Sequence, residues 1–451
     1  MRGLKSLLAL VVVLAGLGAY IYFVTWKKPA DDAASSKKEK VFAAVESDKI
    51  EEVRVTSASG EAATVKKEGA TWQLTEPVAA KADDNEVSGI TSALASVEMT
   101  RVIDENAANL NDYGLSNPRI AIDFKASGDK DYRKLLIGEK TPTGGDLFAM
   151  RGGEKKVFLI PAFQESTFNR TAFDLRDKTI LKFERDKVDA IDLSTTSGPG
   201  PAFTKEGTDW KITRPLQVKA DFGSVEGLVG RLQSVQMKSI VPGEPTPADL
   251  KKYGLDKPAA TVMLNTGSSR ATLLLGGKAE ENTIYARDTS KPAVVTVESG
   301  LLDDIKKGAD EYRRKDLFEF RAYNATRVEL TRDGKTVVFE RVKGQGENAQ
   351  DKWRRVSPNA ADVDRDKVEG FLSRLSNMRA TSFVESTAKT GLDKPALSIV
   401  AKFDDGKKEE RVVFGKEGDD VFASRPGEPG AAKTDATDFN ESIKTLDELS
   451  K

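Results

Sequence analysis

The sequence predicts an α+β protein in which an N-terminal transmembrane helix precedes three tandem repeats of a mainly antiparallel sheet with packed helices. Three observations predict this fold class. The same short motifs recur three times in the same order. Alternating β-branched runs surround one amphipathic helix in each copy. A long uncharged apolar segment lies near the N-terminus, where a membrane anchor is often found.

Three landmarks define the repeat. A tryptophan is followed five residues later by a proline, at Trp72 and Pro77, Trp210 and Pro215, and Trp353 and Pro358. A turn motif reads YGLSNP at 113–118, YGLDKP at 253–258 and TGLDKP at 390–395. An apolar triplet ends in a glycine at Gly138, Gly276 and Gly415. The tryptophans are 138 and 143 residues apart, so each copy is a whole domain rather than a short solenoid unit.

One helix is predicted in each copy, because an aspartate and then a stripe of apolar residues follow each tryptophan at constant offsets. The aspartates are Asp83, Asp221 and Asp364, and the stripes are Val87, Ile90, Leu94 and Val97; Val225, Leu228, Leu232 and Val235; and Val368, Phe371, Leu375 and Met378. Steps of three and four residues place each stripe on one helical face. The aspartate is well placed as an N-cap, and Glu86 is expected to complete a capping box. A metal site of three aspartates would require three modules to converge, so capping is the preferred interpretation.

Alternating β-branched runs predict the strands around each helix. They cover residues 53–55, 64–65, 120–124, 134–137, 147–150 and 157–160 in the first copy, and 190–193, 210–212, 261–264, 271–275, 284–286 and 294–297 in the second. Further helices are predicted near 162–171, 301–310 and 439–449. Short strands joined by tight turns imply mainly antiparallel sheets. The third copy is shorter after Gly415 and rich in glycine and proline.

The Tyr-Gly-Leu-x-x-Pro motif is predicted to be a structural turn. Its glycine can adopt positive φ, its leucine can enter the core, and its proline can begin the next strand. A ligand-binding loop is the alternative, but the structural interpretation explains every fixed residue. The tryptophans are expected to be strand residues that anchor the core of each module.

The N-terminal region predicts a membrane anchor. Residues 6–26 carry no charge, are mostly Leu, Val and Ala, and end in a cluster of aromatic residues, as a span of about 20 residues with an interfacial belt would. A cleaved signal peptide is the alternative, although its apolar region is usually shorter. Read alone, the counts of Lys and Arg on either side of the span would leave the body in the cytoplasm. Long domains translocate regardless of such counts, so they do not decide the orientation.

The chain is therefore divided into five segments. Residues 1–26 form the tail and anchor, and 27–40 a tether without apolar periodicity. Module 1 covers 41–184, module 2 covers 185–321, and a shortened module 3 covers 322–451.

The composition excludes several kinds of chemistry. The chain has no cysteine and no histidine, which excludes disulfides, Cys/His zinc sites, thiol nucleophiles and Ser-His-Asp triads. It has 70 Lys and Arg against 71 Asp and Glu, interleaved throughout, which argues against a nucleic-acid partner. No phosphate-binding G-x-x-x-x-G-K-[ST] motif occurs. No catalytic, metal or cofactor-binding residue is predicted.

An arginine recurs at the end of one strand in each copy, at Arg151, Arg287 and Arg425. Ion pairs, with Asp174 or Glu311 as candidate partners, would explain these arginines structurally. Contact with a partner protein is the functional hypothesis, and the three arginines are the candidate site residues.

Together these motifs, from the Trp-to-Pro segment to the Leu-Arg-Asp-Lys sequence at 175–178, resemble a bacterial family of domains of unknown function. Members are often repeated behind one transmembrane helix and encoded beside ABC transporter subunits of the gliding-motility type. The resemblance covers nearly all of the chain from Val41 and implies no catalytic residue. It departs at Thr390, where the family has tyrosine, and in the shortened part of the third copy.

Two functional classes follow. The resemblance implies a non-catalytic accessory or assembly subunit in the bacterial inner membrane, with one span and its body in the periplasm, bound to transporter permease and ATPase subunits. The alternative is an envelope polymer-binding protein or a carboxylate-dependent hydrolase. Such a hydrolase would need a pair of acids in an apolar setting in one copy, and none stands out in the sequence.

Overall fold

The structure, a computed structural model, describes residues 39–344 and 350–451. The chain divides after Lys178 into two compact units. The first unit contains one nine-stranded sheet and the second contains two, which confirms the predicted threefold α+β repeat. The predicted transmembrane segment 6–26 lies outside the described residues. Among the residues that are described, no helix is long and apolar enough to span a bilayer.

All three sheets are antiparallel and have the same strand order. The first sheet contains β1 (Ile50–Thr56), β2 (Ala62–Glu68), β3 (Thr71–Glu76), β4 (Ala80–Lys81), β5 (Arg101–Asp104), β6 (Ile120–Ala126), β7 (Arg133–Lys140), β8 (Asp146–Arg151) and β9 (Val157–Pro161). The second contains β10 (Ala190–Thr195), β11 (Gly198–Glu206), β12 (Asp209–Arg214), β13 (Val218–Lys219), β14 (Ser239–Ile240), β15 (Ala260–Thr266), β16 (Ser269–Lys278), β17 (Thr283–Asp288) and β18 (Val295–Glu298). The third contains β19 (Ala325–Arg332), β20 (Lys335–Val342), β21 (Lys352–Ser357), β22 (Ala361–Asp362), β23 (Ala380–Val384), β24 (Leu397–Phe403), β25 (Lys408–Glu417), β26 (Asp420–Ser424) and β27 (Ala431–Thr434).

The path of the chain through each sheet explains this order, which in the first module is β4-β3-β2-β1-β6-β7-β8-β9-β5. Four strands step outward from the centre to one edge. A helix then crosses one face to the opposite edge, where β5 forms. The chain returns to the centre through the Tyr-Gly-Leu turn, and four further strands step outward to meet β5. The third module is shorter in sequence, but its sheet has all nine strands.

Eight α-helices occur among the described residues. They are α1 (Asp84–Ser96), α2 (Gln164–Phe168), α3 (Ala172–Leu175), α4 (Phe222–Ser234), α5 (Pro247–Lys252), α6 (Gly300–Ile305), α7 (Arg365–Ser376) and α8 (Ala436–Leu449). The single helix predicted over 162–171 is instead two short helices separated by a break, and the one predicted over 301–310 ends at Ile305. The helix predicted near 439–449 is confirmed and begins three residues earlier.

The three predicted aspartate caps are confirmed. The side chains of Asp83, Asp221 and Asp364 accept hydrogen bonds from main-chain N–H groups in the first turn of α1, α4 and α7, which satisfies donors that a helix leaves free. The apolar stripes are buried against the sheets, and their last members, Val97, Val235 and Met378, lie just beyond the helix ends.

The predicted capping box in the first module is wrong. The N-cap Asp83 accepts from the N–H of Glu86 at 3.3 Å, but the Glu86 carboxylate does not turn back toward it. That carboxylate pairs instead with Arg170, at 2.9 Å. The guanidinium group of Arg170, in the segment after α2, therefore takes the place of the main-chain N–H of Asp83 as the donor to Glu86.

The tryptophans anchor the cores as predicted. Trp72, Trp210 and Trp353 lie on the third strand of each sheet and are at most 5% exposed. The prolines that follow them, Pro77, Pro215 and Pro358, are each preceded by a cis peptide bond.

The second and third landmarks meet in space. In the second module Gly254 has φ of +67° and forms the turn, and the carbonyl of Tyr253 then lies directly over Gly276 of β16. A Cβ on Gly276 would be 2.3 Å from that oxygen, which is too close for any side chain. The same contact joins Gly138 to the Tyr113 carbonyl and Gly415 to the Thr390 carbonyl. The strand glycine is therefore required by the turn, and Leu115 and Leu255 are buried beside it in the first two modules.

The edge strand of the first sheet is covered by the segment that leaves the module. The N–H of Asp83, just after β4, donates to the carbonyl of Leu175 at 2.8 Å, and the N–H of Asp177 donates to the carbonyl of Lys81 at 2.9 Å. Between these bonds Arg176 pairs with Ala82 in an antiparallel bridge. An extended segment thus satisfies edge groups that would otherwise face water.

The second sheet repeats this arrangement. The N–H of Asp221 donates to the carbonyl of Tyr312 at 2.7 Å, and the N–H of Arg314 donates to the carbonyl of Lys219 at 3.1 Å, with Arg313 bridged to Ala220. We call the position of this segment the edge slot. It is filled by residues 175–177 in module 1 and by 312–314 in module 2.

We expect Gly276→Ala to destabilise the second unit by about 3 kcal/mol, because the added methyl group overlaps the Tyr253 carbonyl. Gly227→Ala is the matched control in the same module, since its Cβ would meet nothing within 4 Å inside α4. It should stabilise by about 0.5–1 kcal/mol. Urea unfolding of both variants measures this, and equal effects would contradict the proposed contact.

Candidate functional site

The first candidate site residue, Arg151, holds the segment that enters module 1. Its Nε donates a hydrogen bond to the main-chain carbonyl of Val41, and its guanidinium group pairs with Glu154 at 3.3 Å. Val41 also donates its N–H to the carbonyl of Val97 at 2.9 Å, just after α1. Arg151 therefore fastens the entering segment to the module through charge-assisted hydrogen bonds.

Arg425 has the same role in module 3. Its Nε donates to the carbonyl of Leu317 at 3.1 Å and a terminal nitrogen donates to the carbonyl of Asp316. It pairs with Glu428 at 3.1 Å, and its side chain is only 17% exposed. Leu317 donates its N–H to the carbonyl of Met378, as Val41 does to the corresponding residue of module 1.

Arg287 does not occupy this position in module 2. Strand pairing sets Leu135 opposite Arg151 in module 1 and the corresponding Leu273 opposite Asp288 in module 2. Side chains alternate between the two faces of a sheet, so a shift of one residue places Arg287 on the other face. Its Nε donates there to the carbonyl of Lys291, at 3.2 Å.

Another residue supplies the missing donor in module 2. Asp288 is buried and pairs with Lys291 at 3.2 Å, and the Lys291 ammonium group donates to the main-chain carbonyl of Ile180. Ile180 corresponds to Val41, because Thr179 before it forms the same isolated bridge that Lys40 forms in module 1. All three modules thus hold the same carbonyl of the entering segment, two with arginine and one with lysine.

The arginines do not pair with the acids suggested by the sequence. Arg151 pairs with Glu154 and, at 3.9 Å, with Glu39, and Arg425 pairs with Glu428. Asp174 is instead engaged in a capping box with Thr171 at the start of α3. The sequence analysis missed Asp288 and Lys291. The signal that could have identified them is an acidic residue at a strand end followed three residues later by a basic one.

A second charged cluster lies where the chain passes from module 2 to module 3. Glu319 accepts hydrogen bonds from Lys219 and from Arg314, the latter at 2.9 Å. Partial burial acts to raise the pKa of Glu319, but the hydrogen bonds from these two basic groups outweigh it and lower the pKa to about 2. The main-chain N–H groups of Glu319 and Phe320 are held in turn by the carboxylate of Glu410 on β25. The sequence analysis did not identify this cluster.

The other acidic side chains show the same tendency. Eight carboxyl groups have a pKa lowered from its ordinary value, namely Asp129, Glu165, Glu226, Asp249, Asp304, Glu319, Asp404 and Asp435. Residues 39–344 and 350–451 contain no cluster of three or more carboxylates that could hold a metal ion. This arrangement keeps acids ionised and paired, which suits caps and ion pairs.

We expect Arg425→Ala to lower the stability of the second unit by about 2 kcal/mol, because it leaves carbonyl groups of the entering segment without their charged donor. Arg287→Ala removes one hydrogen bond from a half-buried arginine on the opposite face, and should cost about 0.5 kcal/mol. Chemical unfolding monitored by tryptophan fluorescence compares the two. Similar losses would contradict the different roles assigned to these arginines.

The Glu319 cluster predicts an acid dependence. Its pKa is lowered from 4.5 to about 2 in the folded chain, so its stabilisation is complete above about pH 4.5 and is lost as the pH falls toward 2. Wild type should exceed Glu319→Gln by about 1–2 kcal/mol at pH 7, and the difference should vanish near pH 2. Glu409→Gln, at a 57% exposed ion pair, is the control and should change stability by less than about 0.5 kcal/mol. A difference independent of pH would refute the ion-pair origin.

Comparison with known proteins agrees with the repeat. A family model described as "Domain of unknown function (DUF4340)" matches residues 72–209, 210–352 and 353–451. Each match begins at a landmark tryptophan, within the third strand of a sheet, so the first two matches extend into the following sheet. No curated protein matches the chain.

Among solved structures, one entitled "Structure and mode of action of a mosquitocidal holotoxin" is matched at 7% identity and a TM-score of 0.10, over 86% of this chain and 50% of that one. The chain thus spans half the length of that protein, and a TM-score this low does not indicate a shared fold. The family matches cover most of the chain and repeat three times, and the chain therefore belongs to the bacterial DUF4340 family.

Proposed function

We propose that this protein is a non-catalytic accessory or assembly subunit, anchored by residues 6–26 in the bacterial inner membrane, with its modules in the periplasm. Its proposed partners are the permease and ATPase subunits of an ABC-type transport system. The proposal rests on one observation. The scaffold is repeated three times, and its charged groups form hydrogen bonds and ion pairs within the chain itself.

The state of the acidic residues supports a binding role over hydrolysis. A hydrolase that uses two carboxylates needs one of them protonated near neutral pH, which requires a raised pKa. At Glu165, Glu226, Asp304 and Glu319, which are partly buried, the pKa is lowered instead. Partial burial opposes ionisation at Glu226 and Asp304, but hydrogen bonds from neighbouring donors outweigh it at both. These acids are suited to binding and structural roles.

The open faces of the sheets support contact with other macromolecules. Strands near the centre of each sheet carry solvated ion pairs, formed by Lys66 and Glu52, Arg214 and Asp192, and Arg327 and Glu340. Such polar faces suit contacts that form and break, and three of them on one chain raise the effective concentration of each contact after the first has formed.

The predicted partner contact of the three arginines now differs among them. Arg151 and Arg425 use their guanidinium groups on main-chain carbonyls of their own modules. A charge reversal there would disturb folding as well as binding. Arg287 lies on the other face with one hydrogen bond to the main chain, so Arg287→Glu is the informative variant for a partner contact.

We expect crosslinking in cells, followed by gentle detergent extraction and mass spectrometry, to recover permease and ATPase subunits at near-stoichiometric amounts. Arg287→Glu should reduce recovery severalfold while lowering the stability of the fold by only about 0.5 kcal/mol. Arg270→Glu, an arginine on the neighbouring strand β16 that bonds Asn265, is the matched control and should leave recovery unchanged. Recovery of the chain alone, or with envelope polymer only, would refute the transporter assignment and favour a polymer-binding or hydrolytic role.

A further inference from the structure

Module 3 has an edge slot that the described residues leave open. By position after the tryptophan, Asp364 corresponds to Asp83 and Asp221, whose N–H groups bond the leaving segment in modules 1 and 2. Among residues 39–344 and 350–451, no main-chain group accepts the N–H of Asp364 or donates to the carbonyl of Asp362. These are the two edge positions that are bonded in both other modules.

The exposure of the edge residues agrees with the absence of a covering segment in module 3. Ala82 and Ala220, which pair with the leaving segment, are 1% and 7% exposed, whereas the corresponding Val363 is only half-buried. The side chain of Asp362 is fully exposed. The edge strand β22 pairs with β21 alone. The third sheet therefore presents an unpaired donor and acceptor at the place where the other two sheets bind a strand.

A groove lies beside this edge. It has a volume of about 580 Å³ and lies between β22, α7 and α8. Val363, Phe371 and Leu449 give it an apolar part. Its charged groups are of both signs, with Asp362, Asp364, Asp366 and Glu448 beside Arg355, Lys367, Arg374 and Lys451. Gly370 of α7 also lines the groove, and a Cβ there would meet nothing within 4 Å. The groove has room for an additional side chain next to the edge strand.

We infer that the edge slot of module 3 binds an extended segment of a partner polypeptide by β-strand addition, with a large apolar residue at its centre. The occupants of the other two slots define this chemistry. Leu175 and Arg176 fill the slot in module 1, and Tyr312 and Arg313 fill it in module 2. Main-chain hydrogen bonds provide the affinity in this mode of recognition and side-chain pockets provide the specificity.

The side chains of the two known occupants match the groove. Leu175 and Tyr312 are both buried, and Tyr312 packs edge-to-face on Phe203 at 4.9 Å. The apolar part of the groove in module 3 would take the equivalent residue. The arginine that follows points to the opposite side of the extended segment, as Arg313 does in module 2, where its guanidinium group lies over the Phe383 ring at 3.8 Å. The apolar residue therefore provides the side-chain contact with the groove.

This inference rests on the proposed function, because it takes the chain to bind other polypeptides, and it names the structural element by which one partner is held. The competing occupant is a second copy of this chain. The experiment uses a purified full chain and a defined peptide, so its failure leaves the transporter assignment to be judged by the crosslinking result alone.

The probe is a fluorescent peptide with the sequence of residues 309–318, titrated into the full-length protein in detergent and followed by anisotropy. We expect saturable binding. Methylating the peptide nitrogen that corresponds to Arg314 removes the donor to the Asp362 carbonyl and should weaken binding at least about tenfold. Methylation at the nitrogen of Arg313, which does not bond the edge in module 2, should have little effect.

Gly370→Leu tests the slot from the protein side. A Cβ at this position would meet nothing within 4 Å, and the groove beside it has a volume of about 580 Å³, so we expect a folded protein that binds the peptide at least about tenfold more weakly. Gly227→Leu, at the same helical position in module 2 where the slot is already filled, should bind normally. Absence of saturable binding, or binding unaffected by Gly370→Leu, would overturn the inference. Self-association that Gly370→Leu abolishes would assign the slot to a second copy and overturn the partner assignment.

Discussion

An antiparallel sheet leaves a row of main-chain donors and acceptors unpaired at each edge, and most features of this protein follow from how those groups are covered. In modules 1 and 2 the chain covers one edge with the segment that leaves the module. At the other side of each module the entering segment pairs beside the last helical residues. The same short stretches therefore link the modules and complete the sheets.

The hydrogen bond that fixes the entering segment shows which part of each module is constrained. The acceptor is a main-chain carbonyl at one position, of Val41, Ile180 or Leu317, and its donor is a charged side chain from the region after the eighth strand. Arginine supplies the donor in two modules, and lysine four residues beyond Arg287 supplies it in the third. The carbonyl must be satisfied because it lies between packed elements, but the residue that satisfies it can change.

The charged residues form two groups, those that hold the chain together and those on the exposed faces of the sheets. Glu319 and its two basic partners lie where the chain passes between modules, and Glu410 holds the main chain beside them. Ion pairs on the open sheet faces are solvated instead, so they contribute little to stability and remain available to a partner. A chain that uses its buried charges to hold itself and its exposed charges on flat faces is suited to the assembly role proposed for it, and the uncovered edge of module 3 is the proposed point of attachment.

The sequence by itself determined the features that depend on nearby residues. The threefold repeat, the aspartate caps, the buried tryptophans and the positive-φ glycine of the turn could be predicted, because spacing and local backbone preference decide them. The tertiary structure decided the rest. Strand register placed Asp288 rather than Arg287 opposite Leu273, Arg170 drew Glu86 out of its expected capping box, and the turn carbonyl imposed glycine on a distant strand. Each of these depends on which residues far apart in the chain come into contact, and a single sequence does not contain that information in its local pattern.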